Sequence, residues 1–320
     1  MHGIRWHVVL TCLLAASVSF AQGPNNYPDK PVRIISVLAV GGAVDSVGRM
    51  VATKLSENLQ RPFIVENRLG GGGTVGYSYV AKAPRDGYTL LVAGSGYTIA
   101  SVLYPIQYDP INDIVPIAQA SNSYYLLVSH PALPARSVRE LVALAKSRPG
   151  ALNFGSGGVG SSVHFAMETF ALTAGIRLTH VPYKGSGQAQ VDLISGELQV
   201  MMANAISALP HVKAGRLRAL GLSAPKRSAA MPDIPTIVEQ GVPFTLAVWT
   251  GFFAPAGVPP EILTKLQTEI TNVLKDPAIA QRIADGGGEQ TETPDQFKQT
   301  IRDELVANRK IAIARNIKVE

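Results

Sequence analysis

The sequence predicts an α/β protein in two units, each a mainly parallel sheet flanked by helices. Apolar, β-branched runs alternate with helix-like stretches over residues 32–93 and again over 137–223. Three of the runs end in glycine-rich turns that open onto a helix-like stretch: Gly41-Gly42, Gly70 to Gly73, and Gly155-Ser156-Gly157-Gly158-Val159-Gly160. Irregular connections with proline separate the two alternating regions.

In the first unit, Val32–Val40 reads as a buried strand and Asp45–Gln60 as a helix with Val47, Val51, Leu55 and Leu59 on one face. Phe63–Glu66, Thr74–Ala83 and Tyr88–Ala93 continue as strand, helix and strand. Tyr104–Asp113, rich in Pro, Asp and Asn, reads as a loop, and Ile117–Val128 as extended chain. The second unit opens with helix Ser137–Ser147, capped by Ser137 and ended by Arg148-Pro149-Gly150. Strand Leu152–Phe154, helix Ser162–Leu172, strand Arg177–Pro182 and helix Gln188–Ser195 come next. Strand Leu198–Ala203, helix Ala208–Ala214 and strand Leu217–Ser223 complete the unit. Thr245–Phe253 is strand-like again. Amphipathic helices follow Pro255, with Leu263, Leu266, Ile270, Val273 and Leu274 on one apolar face and Phe297, Ile301 and Leu305 on another. Two extended stretches thus join the units, and the C-terminal helices return to the first. The expected domains are 22–120 with 247–320, and 121–246.

Residues 1–21 read as an export signal: Arg5, the apolar stretch Trp6 to Ala16, and Ser19-Phe20-Ala21 as a small-x-small cleavage site. The stretch is too short to span a bilayer. Cys12, the only cysteine, lies inside it. The exported chain then has no disulfide, thiolate nucleophile or cysteine metal site, and a bacterial periplasm is the expected location. The formal net charge of +6 is scattered, without a Lys/Arg block or interleaved aromatics, which argues against nucleic acid. His130, His164, His180 and His211 lack ligand spacing, so neither a metal nor another cofactor is expected.

Glycine turns bring backbone N–H groups close to a ligand, and the helix that follows adds unpaired N–H groups and a positive dipole end. None of the three turns carries the lysine, cysteine or acidic pair of a reacting centre. The pattern points to holding an anion. The candidate contacts are Gly41, Gly42, Ala43 and Asp45 at the first turn, Gly72 and Gly73 at the second, and Ser95 after the third strand. Ser156, Gly157, Gly158, Ser161, Ser162 and His164 stand at the third turn, and Asn204 follows a later strand.

Each has a plainer reading. Asp45 caps a helix and pairs with Arg49 at i,i+4, shaping its loop, or meets a ligand amine. The G-x-G-x-x-G of residues 155–160 lacks an acid on strand 177–182 to hold a ribose. A hydrolase built on Ser161 or Ser162, with His164 as base and Asp192 as orienter, has no nucleophile elbow. Lys184 is a ligand contact or a solvated lysine at a sheet edge. Trp249 floors a ligand or fills the hinge.

At these motifs the chain resembles the tripartite tricarboxylate transporter substrate-binding proteins, or Bug receptors. The likeness rests on Tyr27-Pro28-Asp29-Lys30-Pro31, Gly41-Gly42 with Asp45 and Arg49, and Val65-Glu66-Asn67-Arg68 with Gly70 to Gly73 and Gly76. It continues through Asp86-Gly87-Tyr88-Thr89-Leu90, Val181-Pro182-Tyr183-Lys184-Gly185 with Asp192 and Gly196, and Ala254-Pro255-Ala256-Gly257. Separately, a monomer is expected; the resemblance implies an extracytoplasmic receptor with a two-domain Venus-flytrap fold of the type II-like periplasmic binding proteins. It further implies a carboxylate ligand and handover to a membrane transporter; a receptor for a membrane sensor is the alternative. Two departures touch the turns. Ser36-Val37-Leu38-Ala39-Val40 replaces the prolines and aromatic usual before the first Gly-Gly, and Leu69 and Gly71 stand at the usual proline and alanine of the second turn.

Overall fold

The computed structural model describes residues 27–38, 40, 43–285 and 292–319, with the side chains of 43, 206 and 285 excepted. The export segment, Gly41 and Gly42 lie outside the described residues. In the first half, strand β1 (Val32–Ser36) leads to helix α1 (Ala43–Leu59), β2 (Phe63–Asn67), α2 (Thr74–Ala81), β3 (Thr89–Gly94) and α3 (Gly96–Leu103). Val51 and Leu55 of α1 are fully buried against Val32, Ile34 and Leu90, as their spacing requires. β1 is shorter than its apolar run: it ends at Ser36, and Val37–Val40 leave the sheet.

Strand β4 (Ile114–Ser129) then runs for 16 residues into the second half. That half contains α4 (Val138–Ser147), β5 (Asn153–Ser156), α5 (Ser162–Thr173), β6 (Thr179–Pro182), α6 (Ser186–Ser195), β7 (Val200–Asn204), α7 (Ala205–Lys213) and β8 (Arg218–Leu222). Ser137 caps α4 by accepting from the Glu140 N–H, and Gly196 ends α6 in the left-handed conformation at φ 94°. β9 (Ala247–Pro255) returns beside β4, and α8 (Pro260–Leu274), α9 (Pro277–Asp285) and α10 (Pro294–Ala314) follow. Thr293 and Gln296 form a reciprocal capping box at the start of α10.

The sheet order is β2-β1-β3-β9-β4-β7-β5-β6, with β8 also on β4. β1 pairs in parallel with β2 and β3, and β5 with β6 and β7. The centre is antiparallel: β3 with β9, and β4 with β9, β7 and β8. The expected mainly parallel sheets are therefore corrected to parallel flanks on an antiparallel centre. The reason is that β4 and β9 carry the chain across in opposite directions, side by side. Residues 114–124 of β4 pair with β9, whereas 125–129 pair with β7 and β8. One apolar core, including Leu126, Phe154, Phe170 and Met202, fills the second half. Two others cover the faces of the first, one with Leu266 and Ile270 of α8 and one with Phe297 and Ile301 of α10. A small cluster of Ile99, Phe165, Ile311 and Ile317 joins α3, α5 and the C-terminal segment.

Candidate functional site

In each parallel flank the helices begin at the carboxyl ends of the strands, so their starts gather on one side of the sheet. A cavity of about 850 Å³ lies there. Five helix starts contribute to its wall: Val44 and Ser46 of α1, Gly72 and Gly73 before α2, Ser95 and Gly96 at α3, Ser161 and Ser162 at α5, and Asn204 before α7. The first N–H groups of a helix have no partner within it, and each start carries roughly half a positive charge. Ser121 and Ser123 of β4 and Thr250 of β9 add hydroxyls from the crossing strands. No aspartate, glutamate, histidine or lysine lines the cavity among the described residues.

Local chemistry fixes these starts in place. Ser95 Oγ accepts the Trp249 N–H at 2.9 Å, and the Ser95 N–H donates to the Trp249 carbonyl at 3.2 Å, which pins α3 to β9. Ser161 Oγ caps α5 by accepting the His164 N–H at 3.3 Å. The Tyr125 hydroxyl of β4 hydrogen-bonds the Ser162 side chain, and burial pushes the phenol up to about 12. Behind the first turn, Arg49 donates to both Asp45 oxygens at 2.9 and 3.2 Å, and to Asn67 Oδ1 at 2.7 Å. Asn67 Nδ2 donates to Asp45 Oδ1 at 2.7 Å and to the Leu38 carbonyl at 2.8 Å. This charge-matched cluster shapes the segment entering α1. The second turn depends on glycine. Gly72 sits at φ 64°, and a Cβ there would stand 2.6 Å from Tyr104 Cε2.

Under the third turn, the rings of His164 and His180 stack at 3.9 Å. Burial pushes both imidazoles down to about 4, with the neighbouring His180 adding to the effect on His164. His164 Nδ1 accepts the Gly160 N–H at 3.2 Å, and His180 Nε2 lies 2.7 Å from Ser156 Oγ. Ser156 Oγ also accepts the Gly158 N–H at 3.1 Å. Trp249, buried at the cavity edge, donates Nε1–H to Glu304 Oε1 at 2.9 Å, and Thr98 Oγ1 lies 2.8 Å from Glu304 Oε2. Burial pushes Glu304 up to about 7.

Of the candidates, Gly72, Gly73, Ser95 and Gly157 line the cavity, as do Ser161, Ser162 and Asn204. Asp45, Ser156, Gly158 and His164 do not; they hold the turns behind it. Ala43 begins α1, and its side chain is outside the described residues. Lys184 is exposed and away from the cavity, whereas Trp249 both lines it and fills an aromatic cluster with Phe253 and Phe297. The hydrolase geometry is missing. His164 Nδ1 is engaged by Gly160, Ser161 Oγ by the His164 backbone, and Asp192 by the Tyr183 hydroxyl at 2.7 Å. Ser121, Ser123 and Thr250 were not among the sequence candidates. Their signal is a pair of serines at period two in an apolar strand, facing one side.

A model of the tripartite tricarboxylate transporter family receptor, TctC, matches residues 47–318. The chain belongs to this family. It is a family of solute receptors, not of enzymes. BugT of Bordetella pertussis is 35% identical over 302 residues, covering 93% of this chain and 91% of BugT. Among solved structures, R. palustris Rpa4515 with adipate superposes with a TM-score of 0.78 at 32% identity, covering 91% of this chain and 99% of that one. MatC (Rpa3494) from Rhodopseudomonas palustris with bound malate gives 0.75 at 29%, covering 89% and 99%. The periplasmic receptor fold and the α/β architecture follow from these likenesses.

Proposed function

We propose that this chain is an exported, monomeric receptor that closes two lobes over a carboxylate in the periplasm. It then hands the ligand to the membrane subunits of a tripartite tricarboxylate-type transporter. The lobes are 22–120 with 247–320, and 121–246, after the leader is removed near Ala21. The observation that carries this reading is the gathering of five helix starts from both halves around one cavity free of acidic side chains among the described residues. A carboxylate there accepts from N–H groups at the start of α1 and from the starts of α3 and α5, with Ser95, Ser161, Ser162 and Asn204. Each charge-assisted bond contributes about 1.5–3 kcal/mol. Ordering the ligand and lobes offsets several kcal/mol, which leaves affinity near micromolar. Closure follows because only the closed form contacts the ligand from both lobes.

Adipate and malate in the two similar structures support the ligand class. The test is calorimetry of receptor stripped of ligand by unfolding and refolding, titrated with a panel of carboxylates. Saturable 1:1 binding with no product formed is the expected result. Heat from no member of the panel, or turnover of a bound acid, would overturn the proposal.

A further inference from the structure

We infer that the ligand carries a single carboxylate on a bulky apolar body, alkyl or aromatic; this rests on the carboxylate-receptor reading. The first support is the charge inventory. Arg282 of α9 is the one cationic side chain lining the cavity among the described residues, and it is exposed. Arg49, the nearest basic residue on α1, is consumed by Asp45 and Asn67. The undescribed positions next in sequence, 39, 41–42 and 286–291, contain no lysine or arginine. Helix starts and hydroxyls suit one carboxylate. A second buried charge requires a partner of its own, and an exposed arginine in solvent is a weak one.

The second support is the remaining wall. Val44, Val47 and Met50 stand at three-residue spacing on one face of α1, and Ile283 of α9 joins them in the same apolar cluster. These four side chains carry no hydrogen-bond donor. Three exposed apolar side chains close in sequence to or within the glycine turns also line the cavity: Leu38 at 44%, Leu69 at 56% and Val159 at 46%. Apolar side chains left open to water around one cleft mark a surface that something apolar covers. A cavity of about 850 Å³ is also far larger than a four-carbon acid fills.

The test compares acids matched in carbon skeleton, by calorimetry on the stripped receptor: hexanoate against adipate, and benzoate against terephthalate. The monoacid is expected to bind at least tenfold more tightly in each pair. Affinity across butyrate, hexanoate and octanoate is expected to rise about fourfold per methylene. Met50→Gln, close in shape, is expected to weaken octanoate about tenfold with little effect on butyrate. The wild-type comparisons decide the matter even where that variant fails to fold. Diacids binding as tightly as their monoacids, or no gain with chain length, would overturn the inference and leave the carboxylate receptor standing. Binding by neither set would overturn both.

Discussion

Glu304 is a carboxyl group held behind the cavity wall, and its charge can be removed without changing its shape. Its oxygens face the Trp249 Nε1–H at 2.9 Å and Thr98 Oγ1 at 2.8 Å, while Asn308 donates to Thr98 Oγ1 at 3.0 Å. Thr98 can give its proton to the Ser95 carbonyl at 3.0 Å, leaving a protonated Glu304 to donate to Thr98. In Glu304→Gln the amide carbonyl accepts from Trp249 and the amide nitrogen donates to Thr98, so the network survives.

Burial raises Glu304 from an ordinary 4.5 to about 7. Between those values the folded chain keeps a proton that the unfolded chain has lost, so stability falls as pH rises. The fall is at most about 3 kcal/mol, and less where solvent reaches the side chain. His164 and His180 act oppositely. Burial pushes each down from 6.5 to about 4, so the unfolded chain binds their protons first and stability falls as pH drops through that window. Both histidines are common to wild type and E304Q, so they cancel in the difference. Urea denaturation of the two proteins from pH 4.5 to 8, at fixed ionic strength, measures that difference. The variant is expected to match wild type near pH 4.5 and to be more stable by up to about 3 kcal/mol at pH 8. A difference that stays flat with pH would refute the argument.

Gly72→Ala places a Cβ against Tyr104 at a positive φ, and is expected to cost about 1–3 kcal/mol and to weaken ligand binding, read by thermal melting and calorimetry. Ser161→Ala removes the cap of α5 and is expected to cost about 1 kcal/mol in the same melting assay, with no catalytic activity to lose. Arg282→Gln is expected to slow association of an anionic ligand severalfold at low salt and hardly at all in 0.5 M salt, measured by stopped-flow tryptophan fluorescence.

Helices with one apolar face were legible because burial on one side leaves a period in the chain, as Val51 and Leu55 do in α1. α3 has no such period. Tyr97, Thr98, Ile99, Ala100 and Ser101 are all buried, so the helix is covered on several sides and was not assigned. The overrun of β1 has a related cause. Val37 is apolar because it packs in the core beyond the strand, and Leu38 lines the cavity; in sequence both look like more strand. Nor does an apolar run state the direction of its neighbours, which is why the antiparallel centre was missed. Beside the cavity, the second and third glycine turns were legible because positive φ at Gly70 to Gly73, Gly158 and Gly160 demands glycine. Glu304 was not, since its burial depends on Thr98 and Trp249, 206 and 55 residues earlier.

Among the described residues, two acids stand directly behind the cavity wall, and each is kept from opposing an anion by a different means. Asp45, between lining residues Val44 and Ser46, is matched by the Arg49 guanidinium and the Asn67 amide. Glu304, bonded to lining residue Trp249, has no cation within those contacts and retains its proton to near neutrality through burial. The partial positive charges of the helix starts are therefore left uncancelled for a ligand below about pH 7. Above it, the charge on Glu304 opposes the start of α3, so anion affinity in wild type should decline with rising pH and E304Q should hold it level. Parallel declines in both proteins would place the titrating group elsewhere.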